Sequence, residues 1–312
     1  MTGAYPPAAS RRGSTVRLVI MLAVLVALVL GAGHVGILPQ WMPLRANLVA
    51  AAPAAPAVDY PVFGSDEFVK YLAANMIAQE DSINVSAWAN APGIGRDGVF
   101  DAVAEAAIQN PYVFVDGWTY QATIRGIVLR PDYVYSDTRA EHKRVDTAAA
   151  VAAGLQKTGI TPEMSVEKKV RAIHDYVASV ATYDSVAADA ITAGSSEGLR
   201  VEQSQEAYGI LVAGTAVCNG YAQAFQAIAE AAGLSSIIVT GQALSGVTVG
   251  PHAWNRVLVD GEWLIVDVTW DDADALGTHE QYLLVDPSSA LLNTRTADSD
   301  WVVDSQAARF GG

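Results

Sequence analysis

The stretch Glu206-Ala207-Tyr208-Gly209-Ile210-Leu211-Val212-Ala213-Gly214-Thr215-Ala216-Val217-Cys218-Asn219-Gly220-Tyr221-Ala222-Gln223-Ala224-Phe225 holds the one cysteine of the chain. Downstream of it, Tyr221, Phe225, Ile228 and Ala232 recur at helical intervals as far as Gly233. Upstream, Gly209 and Gly214 punctuate a loop. Cys218 is therefore expected at the start of a helix. Backbone N–H groups left without intrahelical acceptors, and the positive end of the helix dipole, favour a thiolate there. The same N–H groups suit the oxyanion that forms when a thiolate attacks an acyl carbon. By composition alone a single cysteine reads as a small buried apolar residue. Its place at a helix start makes it a candidate nucleophile. No intramolecular disulfide can form.

A nucleophilic cysteine needs a base, and the base needs a group to orient it. His252 to Val259 reads as a strand, Asp260-Gly261 as a two-residue turn, and Glu262 to Thr269 as the returning strand. In that register Val259 faces Glu262 and Asp267 lies opposite Trp254. His252 shares the face of Trp254, because side chains two apart in a strand point the same way. His252 and Asp267 are then diagonal neighbours, about 7–8 Å apart along the backbone, within reach of a side-chain hydrogen bond. The bland alternative is an edge ribbon with a surface histidine, a solvated aspartate and three core tryptophans, Trp254, Trp263 and Trp270.

The segments YGILVAGTAVCNGYAQAFQAIAEAAGL (208–234), PHAWNRVLVDGEWLIVDVTWDD (251–272) and HEQYLLVD (279–286) occur in that order. Together they resemble the transglutaminase-like superfamily, specifically its bacterial extracytoplasmic members, over about residues 160–287. AIHDYVASVATYD (172–184) resembles the helix leading into that core. The resemblance implies an α+β fold with a papain-like core, in which the nucleophile helix packs on an antiparallel sheet. It assigns Cys218 as nucleophile, His252 as base and Asp267 as the orienting acid. In eukaryotic transglutaminases a tryptophan follows the nucleophile; Asn219 stands there in this chain, which counts against protein cross-linking. Tyr208, Asn219 and Trp254 are the candidates for oxyanion or substrate contacts. A Tyr208 hydroxyl that helps hold the oxyanion would make Tyr208→Phe lower turnover by about tenfold or more; a packing aromatic would not.

Outward from this core, residues 156–312 are read as the transglutaminase-like domain and 60–155 as an N-terminal α+β region. Within the latter, helices are expected over Ser65 to Gln79, Gly98 to Gln109 and Arg139 to Lys157. Strands are expected at Ser82 to Trp88, Tyr112 to Val115 and Tyr120 to Val128, the last two separated by an Asp116-Gly117 turn. Thr161-Pro162-Glu163 opens a helix running to about Thr182, with His174 in line with Val170, Ile173 and Val177 as a core histidine. Asp271, Asp272 and Asp274 read as a solvated acidic loop. No histidine or carboxylate set has zinc spacing and no calcium-loop signature occurs, so no metal and no cofactor is expected.

At the other end, residues 17–38 are expected to form a transmembrane signal anchor. The 21 residues from Leu18 to Leu38, uncharged to Gly33 and apolar again past His34, span roughly 30 Å as a helix. Arg11, Arg12 and Arg17 precede it, which makes residues 1–16 a cytoplasmic tail and leaves the rest outside the cytoplasm, or secreted if the anchor is cleaved. Residues 39–59, rich in Ala and Pro, read as a spacer. The formal net charge is −14, and residues 1–59 hold four Arg against one acid, so the body carries 15 basic and 32 acidic residues. Such a body repels phosphate backbones, which excludes nucleic acid as the expected partner.

The expected function is thiol-dependent acyl transfer or amide hydrolysis through a thioester, on protein or cell-wall peptide substrates. The rival from another class is a non-catalytic binding or scaffolding module that keeps the fold.

Overall fold

The structure is a computed structural model that describes residues 52–124, 126–195, 198–245, 248–272 and 278–298. The expected tail (1–16), the expected anchor (17–38) and residues 39–51 of the expected spacer lie outside the described residues. Among the described residues no helix is long and apolar enough to cross a membrane. The described chain forms two compact units, and residues 60–155 are shared between them. The smaller contains Asn84–Val99 and Tyr120–Arg130; the larger contains Ala54–Ile83, Phe100–Thr119 and the chain from Pro131 onward.

Helix α1 (Glu67–Ile77) begins where the Asp66 carboxylate accepts the N–H groups of Phe68 and Val69, both at 2.9 Å. The strand expected at Ser82 to Trp88 is cut short. Only Ile83–Asn84 (β1) is extended, because the Asn84 side chain accepts the Ser86 N–H and the short helix α2 (Ser86–Ala89) follows. Helix α3 covers Gly95–Ile108. The Asp116-Gly117 turn does not form either. Both residues lie inside β2 (Val115–Thr123), which precedes β3 (Gly126–Tyr133), and the three strands make a sheet of order β1-β3-β2. Gly117 lies beside Asp132, whose exposed carboxylate would be 3.2 Å from a Cβ there and would have to shift slightly for a side chain.

In the larger unit, α4 (Asp137–Lys157) is followed by α5 (Val166–Val180). The helix expected from Thr161 starts later. Thr161 to Met164 closes a turn, with the Met164 N–H on the Thr161 carbonyl at 3.2 Å, and Ser165 is the N-cap. The chain continues through β4 (Thr182–Tyr183), α6 (Ser185–Thr192), α7 (Leu199–Ser204), a π-helical turn at Gly209–Ala213 and β5 (Thr215–Ala216). Then comes α8 (Cys218–Ala231), whose first residue is the cysteine.

Strands β6 (Ser236–Ser245), β7 (Thr248–Val259) and β8 (Glu262–Val266) form an antiparallel meander. The short helix α9 (Val268–Asp271) and strands β9 (Leu283–Val285) and β10 (Arg295–Ala297) complete a five-stranded sheet of order β10-β6-β7-β8-β9. The expected hairpin register holds, with Val259 opposite Glu262 and Asn255 opposite Val266. Asp260 and Gly261 both have positive φ, at 50° and 90°, as a tight two-residue turn requires. The returning strand ends at Val266 instead of Thr269, because the Asp267 carboxylate turns back to cap α9 through the Trp270 N–H.

Helix α8 packs its apolar face into a core with α5 and the sheet: Tyr221, Phe225 and Ile228 meet Val170, Ile173 and Val177, with Val257 and Val266 beneath. Each such side chain contributes about 1.5–3 kcal/mol by leaving water. This fixes α8, and therefore Cys218, against the strand that carries His252.

Candidate active site

Cys218 is held from both sides. Before it, the Val217 N–H donates to the Ser204 carbonyl at 2.9 Å, and β5 runs parallel to β4, pairing Thr215 with Thr182 and Ala216 with Tyr183. After it, Gly220 lets the first turn of α8 touch the chain beneath. A Cβ at Gly220 would lie 2.6 Å from both the Ser204 carbonyl and the Ala216 methyl, too close for any side chain. Cys218 is neither sealed nor free: it is partly buried and lines an open cavity of about 320 Å³ with Tyr183, Ile191, Val217, His252 and Asp298. A second cavity of similar size, lined by Asp116, Glu202 and Glu206, shares Ile108, Gln205 and Asn219 with the first.

His252, on β7, is 8% exposed and its Nε2 lies 2.7 Å from Asp267 Oδ2. Nδ1 is left free of Asp267, and Cys218 lies close enough to the imidazole to influence its protonation. Burial, the largest influence on His252, disfavours the imidazolium, yet the Asp267 carboxylate and the Cys218 sulfur outweigh it and raise its pKa to about 9. The ring stacks between Trp254 and Trp270, at centroid distances of 5.8 and 5.0 Å. Those π faces add further support for a cation.

Asp267 is 1% exposed. Burial pushes its carboxyl up, but His252 and Arg295 together overcome this and hold it below the usual carboxylate range. Its Oδ1 accepts the Trp270 N–H at 3.2 Å, and its Oδ2 accepts from His252 and from Arg295 Nη1, the latter at 2.8 Å. A carboxylate kept ionised can only accept, so Nε2 carries the proton that points at it. Tyr183, beside the thiol, has its hydroxyl pushed up to about 12 by burial and by the nearby Cys218.

The other predicted contacts divide. Asn219 lines the cavity, and its side-chain amide donates to the Gln205 carbonyl at 2.8 Å. Trp254 is buried beside His252 and shapes the histidine's wall. Tyr208 is elsewhere: Lys143 Nζ sits 3.8 Å above its ring, and Tyr208 is not among the residues lining the cavity of Cys218. Packing under the cation of the Lys143–Glu206 ion pair explains its position.

His174 is a core histidine, as expected, with no exposed surface; its Nε2 lies 3.1 Å from Asp271 and its Nδ1 3.0 Å from Asp175. The solvated acidic loop is corrected by this contact. Asp271 is fully buried, accepts the Tyr282 N–H as well, and is a structural anchor; Asp272 accepts from the Tyr221 hydroxyl at 2.6 Å. Asp274 lies outside the described residues.

Arg295 was absent from the sequence reading. One signal was available: it is the only Arg or Lys between Arg256 and Asp298, in a segment rich in Asp and Glu. Among the described residues no group of three or more His, Cys, Asp or Glu side chains is placed to hold a metal ion.

The sequence profile of the transglutaminase-like superfamily matches residues 150–268. Kyphoscoliosis peptidase from Mus musculus and from Homo sapiens is 38% identical over 63 residues, which is 17% of this chain and 9% of each relative. The chain thus spans about a tenth of the length of those curated relatives. A crystal structure of a TGase aligns with a TM-score of 0.35 and 19% identity, over 50% of this chain and 44% of the other. Residues 150–268 are a domain of the transglutaminase-like superfamily.

Proposed function

We propose that the protein is a cysteine-dependent acyltransferase or amidase acting through Cys218, His252 and Asp267. One observation carries the reading. A thiol at a helix N-terminus faces an open cavity and meets a histidine whose far nitrogen is already committed to a buried carboxylate. In the proposed reaction the Cys218 thiolate attacks the carbonyl carbon of an amide, forming the S–C bond, while the first-turn N–H groups of α8 receive the oxyanion. As the tetrahedral adduct collapses, the C–N bond breaks and the His252 Nδ1 proton passes to the departing amine. A thioester remains. Water or a second amine, deprotonated by His252, then attacks it and the thiolate returns. The chemistry needs no cofactor.

Protein or cell-wall peptides are the proposed substrates. The compartment supports them: a segment at 17–38 reads as a membrane anchor, with the domain outside the cytoplasm. The surplus of acidic residues favours cationic substrates and disfavours nucleic acid.

The test is to trap the intermediate. Full-length protein is incubated with a p-nitrophenyl ester of an N-acylated amino acid and its intact mass is recorded. The reading predicts one added acyl group, removed by hydroxylamine and absent from Cys218→Ala. A hydroxylamine-stable adduct, or an adduct that persists in Cys218→Ala, would contradict it.

A further inference from the structure

The edge strand β10 brings a second cation to the site. Its register places Ala297 opposite Gly241 and Arg295 opposite Ala243 on β6, and a Cβ at Gly241 would lie 2.2 Å from the Thr296 carbonyl. Only glycine lets β10 come this close. From there the Arg295 side chain, 3% exposed, reaches Asp267 Oδ2, the oxygen that also receives His252. Its guanidinium carbon lies 4.3 Å from the Trp270 ring centroid, 4.9 Å from that of Tyr282 and 5.1 Å from that of Trp254. Nε and Nη2 are buried with no hydrogen-bond partner. The charge of Arg295 is thus desolvated with two of its nitrogens unpaired, an arrangement that costs stability unless the ion pair and the surrounding ring faces offset it.

Charge balance gives the arrangement a purpose. His252 as imidazolium, Asp267 as carboxylate and Arg295 as guanidinium sum to one positive charge. The group facing that surplus is the Cys218 sulfur. The remaining titratable neighbours are Tyr183 and Tyr282, both raised first by burial and neutral near pH 7, Asp271, which is committed to His174, and Asp298, which lines the cavity but is exposed to water and accepts the Thr240 hydroxyl at 2.9 Å. With the arginine removed, the His252–Asp267 pair would be neutral and a thiolate would be uncompensated.

We infer that Arg295 is a positioning residue that acts through Asp267: it fixes the carboxylate against His252 and makes the buried cluster net positive, so that the thiolate form of Cys218 is the compensated one. The inference rests on the proposed Cys218–His252 reading and adds a member to it from the C-terminal strand. A second expectation distinguishes it from simple packing. A guanidinium beside Asp267 withdraws charge from the carboxylate, so its loss should make His252 harder to deprotonate. A mere structural prop, once lost, would loosen Asp267 and make His252 easier to deprotonate.

The experiment is iodoacetamide labelling of Cys218 in the full chain from pH 4 to 10. The profile should have an acid step, where the thiolate forms, and an alkaline step, where His252 gives up its proton. In Arg295→Met both steps should move to higher pH, each by about one unit for a cation lost a few ångströms away. Arg295→Lys, which keeps the charge, should retain the wild-type profile. Should Arg295→Met fail to fold, Arg295→Gln carries the same expectation, because it keeps length and a donor but not charge. An alkaline step that falls, or steps that stay in place in a folded neutral variant, would overturn the assignment. A wild-type profile with one step near pH 8.5, as for an ordinary thiol, would overturn the ion-pair reading and this inference together.

Discussion

His252 with Asp267 and His174 with Asp271 are the same chemical pair, set at the two ends of the one-turn helix α9. In each, a buried carboxylate meets a ring nitrogen within 3.1 Å, and carboxylate partners raise the histidine's pKa against the opposing effect of burial. The difference lies at the other ring nitrogen. That of His174 is bonded to Asp175, and the ring has no exposure. That of His252 faces a thiol and an open cavity. A perturbed histidine is therefore not a catalyst by virtue of its perturbation. Access and a neighbouring thiol separate the two, and four residues of α9 hold both arrangements in place.

Substitutions should separate the two pairs. The largest effect is expected for Cys218→Ala, which should lower acyl transfer by at least about 10³-fold in a single-turnover assay, since His252 then has no nucleophile to activate. The two aspartates should next separate activity from stability. Asp267→Asn should cut turnover by about 10²–10⁴-fold through the loss of imidazolium support. Asp271→Asn, by contrast, should cost about 2–4 kcal/mol of unfolding free energy in urea and leave turnover within about threefold. Equal loss of turnover in both would show that the two pairs work as one unit.

Stability against pH gives a smaller signal. The folded His252 pKa of about 9 lies above its ordinary value of 6.5, so the folded state binds its proton more tightly than the unfolded chain does. Its stabilising contribution is complete below about pH 6.5 and is lost as pH rises through about 9. In His252→Gln the fall in Tm over that interval should be shallower, while His174 supplies the same sign of dependence in both proteins. The smallest effect is expected for Tyr208→Phe, within about twofold of wild-type turnover, since its ring lies under Lys143 and outside the cavity. A tenfold loss would return Tyr208 to the site.

Sequence made the local parts of this site legible. Cys218 is the first residue of α8 because apolar spacing and flanking glycines mark helix ends, and the His252–Asp267 bond follows from hairpin register. What escaped depended on contacts between distant segments. The Asp116-Gly117 pair looks like a turn, and only the pairing of β2 with β3 shows that both residues lie within a strand. Asp271 looks solvated in a run of acids until α5 brings His174 against it from 97 residues away. Arg295 belongs to a three-residue edge strand with no periodicity to read, and its partner Asp267 lies 28 residues earlier. Tyr208 was drawn toward the site by nearness in sequence to Cys218, whereas the π-helical turn between them carries it to Lys143.

A reactive ion pair between Cys218 and His252 is tested by the rate of iodoacetamide labelling in wild type and His252→Ala near pH 6. Fast labelling is expected in the wild type, with a loss of about 10²-fold or more in the variant. Equal, slow labelling of the two proteins at pH 6 would contradict it and leave the fold as a binding module.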